Sequence, residues 1–192
     1  MPAELSMPAA GLPSTASPSR STASRVVCRK VASATELADY FAIRHRIFVE
    51  EQAIFAESDL DLHDRDRSAV ALIGYCDGVV AGTVRLFALD LADGLWQGDR
   101  LAVLAPYRMR GLGAPLVRCA VATAAVLGGR LMSAHIQLAN VRFFQRLGWQ
   151  IGGEREIYAG LVHQPMCIGL PPPNEALATV RRLAAGVSAR DL

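Results

Sequence analysis

From residue 25 onward, apolar positions recur in separable stretches whose spacing changes from one stretch to the next. Alternation or short apolar runs mark strands, and three- to four-residue spacing marks helices. Residues 26–31 read as a first strand. Ser33, followed three positions later by Glu36, has the capping-box spacing for a helix carrying Tyr40, Phe41 and Phe48. Residues 69–76 and 79–89 flank Asp77-Gly78, a dipeptide suited to the positive φ angles of a two-residue hairpin turn, so both stretches are predicted as antiparallel strands. A strand over 96–104 is followed by a glycine-containing loop and a helix over 115–127 that Gly128-Gly129 stops. A short strand over 131–136 precedes Asn140, the expected cap of a helix holding Val141, Phe144 and Leu147, with Gly148 at its end. Residues 149–158 and 161–170 are expected to close the sheet as a pair of strands. Beyond prolines 171–173, residues 174–185 read as an accessory helix. An antiparallel first half and a strand–helix–strand crossover in the second half imply an α/β fold, a mixed sheet with helices on its faces.

Length and composition narrow the function classes. The 192 residues suit one domain, and 52% of them are apolar, enough for a sizeable core. Twenty Lys and Arg against 18 Asp and Glu leave a net charge of +2, which argues against a nucleic-acid partner. The longest apolar candidate, 114–127, is too short for a membrane span and contains Arg118. Four cysteines and four histidines are widely scattered, so neither a disulfide framework nor a metal site is expected. Residues 1–24 mix Pro, Ser, Thr and Ala without the basic cluster and apolar stretch of a secretory signal. They read as a disordered leader, with Met7 as an alternative start, and the protein is expected in the cytoplasm. The expected organisation is therefore a leader over 1–24, a folded domain over 25–170, and an accessory helix and tail over 171–192.

The sharpest chemical signal is Arg108-Met109-Arg110-Gly111-Leu112-Gly113, placed between a predicted strand and a predicted helix. Gly111 and Gly113 carry no Cβ where backbone must approach a ligand, and the free amides of the next helix start offer hydrogen bonds and partial positive charge. Arg108 and Arg110 add cationic donors, and Pro115 suits a first helical turn. A dinucleotide site fits less well, because Leu116 stands where its third glycine belongs.

This loop resembles the Gln/Arg-x-x-Gly-x-Gly/Ala signature of the GNAT acyl-CoA N-acyltransferases at Arg108, Gly111 and Gly113, and residues 101–107 before it resemble that family's fourth strand. Residues 140–149, Asn-Val-Arg-Phe-Phe-Gln-Arg-Leu-Gly-Trp, are similar to its second signature. The resemblance spans about 26–170. Residues 43–52, Ile-Arg-His-Arg-Ile-Phe-Val-Glu-Glu-Gln, are similar to the early helix of ElaA-like members, including the subgroup linked to nitrogen starvation, and Gly160, His163 and Met166 match their closing strand. Arg44 and Phe48 also resemble the opening motif of acyl-homoserine-lactone synthases, from which Glu50-Glu51-Gln52 departs.

The resemblance implies a mostly antiparallel twisted sheet and acetyl-CoA, or another acyl-CoA, as cofactor. Pyrophosphate would lie on the 108–113 loop, including Met109 and Leu112, and pantetheine along the backbone at Leu101 and Val103. An amide at Val103 would hold the thioester oxygen, and Asn140 and Phe144 would line the cofactor site. It further implies direct attack by the amine of a small molecule, with Arg44, Phe48, Glu50 and Glu51 lining the acceptor pocket. Room is left for a homodimer. Family members commonly place a Tyr acid where this chain has Phe144, which cannot donate a proton, so Tyr158 or Tyr107 would have to replace it. Without such a replacement the alternatives are an acyl-CoA-binding regulatory module or a lactone-synthase-like acyltransferase. Strict alternation puts Asp99 on the face of Leu101 and Val103, making it a candidate base. The acidic run Asp59, Asp61, His63, Asp64 and Asp66 reads as a flexible loop, and His163 as a core histidine.

Overall fold

A computed structural model describes residues 24–189, so the leader expected over 1–24 lies outside the described residues apart from Ser24. β1 (Arg25–Lys30) leads into α1 (Ala34–His45), whose cap is half the expected box. Ser33 Oγ accepts from the Glu36 amide at 3.1 Å, but the Glu36 carboxylate accepts from the Ala32 amide and from Arg29 instead of turning to Ser33. The guanidinium is the stronger donor. α1 passes into a π-helical turn, Arg46–Glu51, which carries Phe48.

β2 (Val70–Cys76) and β3 (Val79–Asp90) form the expected hairpin, with Asp77 at φ 52° and Gly78 at φ 83°. β4 (Leu95–Val103), α2 (Gly113–Val126) and β5 (Leu131–Gln137) make the crossover. Two expectations in the last third need correction. Asn140 ends a 3₁₀ turn and already has helical angles, φ −100° and ψ −5°, so its side chain makes no cap to α3 (Val141–Arg146). A side-chain cap needs an extended residue there. The strand expected over 149–158 is two pieces, β6 (Gln150–Ile151) and β7 (Glu156–Tyr158), both paired with β8 (Leu161–Gly169). Gly152-Gly153 lies between them and offers no side chain to hold a continuous ladder.

The sheet order is β6-β8-β5-β4-β3-β2-β1-β9, with β7 also on β8. β4 and β5 are parallel, and the other neighbours in that order pair antiparallel, giving the expected mixed and mostly antiparallel sheet. α2 lies on one face. Leu112 and Leu116 are fully buried there, and a Cβ on Gly82 would stand 2.8 Å from Leu116 and 2.9 Å from the Ala102 carbonyl. On the other face Ile43, Ile47 and Phe48 cluster with Ala102. α4 (Pro173–Ala185) packs on α2 through Ala122, Ala125 and Ala176, and β9 (Val187–Ser188) pairs with β1 at the sheet edge. No helix among the described residues is long and apolar enough to cross a membrane.

Candidate active site

β4 and β5 pair only at Leu95–Leu131, Trp96–Met132 and Gln97–Ser133, and beyond these pairs their facing edges part. A bulge in β4 accompanies the split. Its register with β3 jumps from Asp99–Arg85 to Ala102–Thr83, so Arg100 and Leu101 together stand opposite Val84, with Arg100 at φ 50°. The extra residue overturns the alternation argument for Asp99, which shares a face with Ala102 and not with Leu101 and Val103. Leu101 and Val103 pack toward the core under α2. Asp99 instead accepts from Arg85, Nε to Oδ1 at 2.8 Å and Nη2 to Oδ2 at 2.7 Å.

At the open end of β4, a 3₁₀ turn (Ala105–Arg110) leads to Gly111, which adopts the left-handed φ 81° and ψ 16° that glycine tolerates best. Gly113 opens α2. Leu112 occupies the cap position with no side-chain hydrogen bond, so the helix start presents its amides without a side-chain acceptor from the cap. Arg108 donates from Nε to the Val103 carbonyl at 3.0 Å and pairs through Nη2 with Glu51 at 2.5 Å. Arg110 stands 3.4 Å from Asp77 and over the Tyr107 ring, while Met109 is almost wholly exposed. Phe143 lies 3.4 Å from where a Cβ on Gly113 would be.

Of the early-segment residues expected around an acceptor, Phe48 lines the cleft between β4 and β5. Glu51 is held on Arg108, and Glu50 is exposed beside His45 at 3.6 Å. Arg44 is fully buried and bound to Asp59, Asp64 and the Tyr40 hydroxyl, so it does not line the cleft. The acidic run is likewise no free loop. Asp61 caps a 3₁₀ turn, Leu62–Arg65, and accepts from Arg85 and Arg100, while Asp64 accepts from Arg44. Arg100 also reaches Asp59 at 3.2 Å. Burial would raise the Asp64 carboxyl, but hydrogen bonds from Arg44 and the Asp61 amide, with the charges of Arg44 and Arg85, hold it down at about 2. Burial works against the charged forms of Arg44 and Arg85, yet their carboxylate partners keep both guanidinium groups firmly protonated.

The opposite wall comes from β5, β7 and β8. Register places His135, Gln137, Glu156, Tyr158 and His163 on one face, away from Met132, Ala134 and Ile136 in the core. Tyr158 lines the cleft and stacks on His135, with centroids 4.3 Å apart and planes 2° apart, while the His163 ring meets it edge-on. His135 Nδ1 is paired with Glu156 Oε1, and Gln137 reaches across to Gln52 at 3.0 Å. Phe144, also in the cleft with Asn140, packs edge-on against Trp149. Sequence reading missed Arg85, Arg100, His135 and Glu156. Arginines at 85 and 100, inside runs that otherwise read as buried strands, were the one available signal, while the histidine–glutamate pair depends on a register no motif records.

A split parallel edge beside a glycine-led helix start fits the acyl-CoA implied above. Polar backbone at the β4 edge can pair with an extended amide-bearing arm, and the amides after Gly111 suit a pyrophosphate. The sequence model of the acetyltransferase (GNAT) family matches residues 35–149, which include the split, the glycine loop and α3. The chain belongs to the GNAT family. As a GNAT protein it is an acyl-CoA-dependent N-acyltransferase. The uncharacterized N-acetyltransferase YjcF of Bacillus subtilis (strain 168) is 27% identical over 132 residues, 68% of this chain and 91% of YjcF. A candidate N-acetyltransferase from Lactobacillus plantarum superposes with a TM-score of 0.66 at 25% identity, covering 78% of this chain and 99% of its own. Escherichia coli ElaA shares the GNAT fold with a TM-score of 0.64 at 18% identity, over 75% of this chain and 98% of ElaA.

Proposed function

We propose that the protein moves an acetyl group from acetyl-CoA to the amine of a small molecule by direct attack, in the cytoplasm. The observation that carries this reading is the split between β4 and β5, with a helix start at its open end and an open polar wall along one side. In this reading the amides from Gly111 to Gly113 hold the pyrophosphate, helped by Arg108 and Arg110. Leu101 and Val103 offer backbone to the pantetheine arm, and Asn140 and Phe144 border the cleft that receives it. The Val103 amide stabilises charge on the thioester oxygen. A donor of this kind contributes about a hundredfold or more in rate. The acetyl preference draws on YjcF, which is named an N-acetyltransferase.

Phe144 cannot protonate the leaving sulfur, and Tyr158, in the same cleft, takes that role in our reading. Asp99 has both carboxylate oxygens occupied by Arg85. The largely buried cluster of Arg44, Arg85 and Arg100 with Asp59, Asp61, Asp64 and Asp99 carries one net negative charge when fully ionised, which favours a cationic acceptor over an anionic one. Phe48, Ile54 and Phe55 add apolar wall.

The test is thermal stability with acetyl-CoA, using NADH as control, followed by thiol release across a panel of amines. Ligand at about 100 times its dissociation constant should add about 2.7 kcal/mol. Stabilisation by acetyl-CoA with amine-dependent thiol release is the expected result. Stabilisation without release favours the binding module that Phe144 suggests, and release only with S-adenosylmethionine favours the lactone-synthase reading.

A further inference from the structure

The wall of β5, β7 and β8 carries groups that acyl-CoA binding does not use. α2 covers one face of the sheet, so an acceptor reaches the split from the other face, where His135, Glu156, Tyr158 and His163 stand together. His135 lies two residues past Ser133, the last β5 residue paired with β4, and lines the cleft where the strands part. Its Nδ1 meets Glu156 Oε1, and its ring lies flat on Tyr158. An ionised carboxylate only accepts hydrogen bonds, so a neutral His135 ring paired with it would carry its hydrogen on Nδ1 and its lone pair on Nε2. Of the other candidates on these walls, Asp99 is bound at both oxygens by Arg85, and His163, whose Nδ1 is likewise satisfied by the Leu161 carbonyl, is buried whereas His135 is part-exposed.

We propose that His135 is the general base for the acceptor amine and that Glu156 is its positioning residue, an assignment that rests on the acyltransferase reading above. An acceptor arriving as an ammonium gives one proton to His135 Nε2. The freed nitrogen lone pair forms a bond to the thioester carbonyl carbon, and the C–S bond then breaks with its electron pair on sulfur. The nitrogen loses its surplus proton to that sulfur, directly or through the Tyr158 hydroxyl, so CoA leaves as the thiol. His135 finally releases its proton to water, and the products are amide, CoA thiol and one proton. The titratable and charged groups facing His135 are Glu156 and Tyr158 on β7 and His163 on β8, with Asp99 and Arg100 across the cleft on β4.

Calorimetry with acetyl-CoA separates this assignment from the broader reading. A wild-type protein that does not bind acetyl-CoA overturns both, whereas binding without thiol release to any amine overturns the base assignment and leaves family membership standing. With turnover in hand, His135→Ala is expected to keep its acetyl-CoA affinity within about twofold while thiol release falls on the order of a hundredfold, the usual share of a general base. Added imidazole should restore part of that rate, and the single-proton acid limb of the wild-type kcat/KM profile should be missing from the variant. Glu156→Gln should lower kcat more than it changes KM, and Glu156→Asp should recover part of the loss. Nitrogen-15 spectra of histidine-labelled protein need no turnover and should show neutral His135 carrying its hydrogen on Nδ1. Hydrogen on Nε2, or a His135→Ala variant with the wild-type rate, overturns the proposal.

Discussion

Arg44 and Arg85 have almost no contact with water, and each is held by two or more aspartates. Removing one partner of such a pair leaves a buried charge without compensation, which costs about 3–5 kcal/mol. Arg44→Met leaves Asp59 with Arg100 and Asp64 with Arg85, so the lower end applies: about 3 kcal/mol. For a chain of this size that is a fall in Tm of roughly 6–12 °C, and a calorimetric loss under 2 °C would contradict it. Asp64 adds a pH signature. Its carboxyl titrates at about 2 in the folded protein against 3.8 ordinarily. A depressed carboxyl contributes stability that is complete above its unfolded value and is lost as pH falls through its folded one. The Tm advantage of wild type over Asp64→Asn should therefore be full at about pH 6 and nearly gone by about pH 2. An advantage that stays constant across this range would show that Asp64 does not carry the effect. Most of this cluster was hidden in the sequence. Asp59 to Asp66 look like a solvated acidic run until their partners are known, and two of those partners, Arg85 and Arg100, come from other strands.

Elements were more legible than their junctions. The β2–β3 hairpin is written in Asp77-Gly78, and the loop before α2 in Gly111, because each needs particular residue types at particular positions. The β4 bulge has no such mark. Arg100 at φ 50° is an ordinary-looking residue in a strand pattern, and the one-residue slip it introduces reversed the expected side of Asp99. The start of α2 provides a test of the phosphate role that spares the fold. Gly113→Asp adds an anion at a helix N-terminus, which favours the helix, while repelling a pyrophosphate. Apo Tm is expected to stay within about 2 °C of wild type while acetyl-CoA affinity drops tenfold or more. That tenfold loss corresponds to about 1.4 kcal/mol. Unchanged affinity by titration calorimetry would remove the loop from the cofactor site.

At the scale of the whole molecule, two layers of helix sandwich the sheet, and the last described segment belongs to one of them. α4 covers Ala122 and Ala125 of α2, Leu183 is fully buried in the main core, and β9 lies along β1. Ending the chain at residue 170 would expose these small-residue surfaces and one sheet edge, so such a truncation is expected to lower Tm by more than about 5 °C, the effect of roughly 2 kcal/mol in a domain this size. A truncated protein with the full-length melting curve would show α4 to be an appendage. The split in the middle of the sheet has a counterpart in self-association. Two strand edges without ladder partners face each other beyond Gln97 and Ser133, and bare edges elsewhere recruit foreign strands into aggregates. On the cofactor placement proposed above, the arm of acyl-CoA along one of them would also act as a plug against that fate.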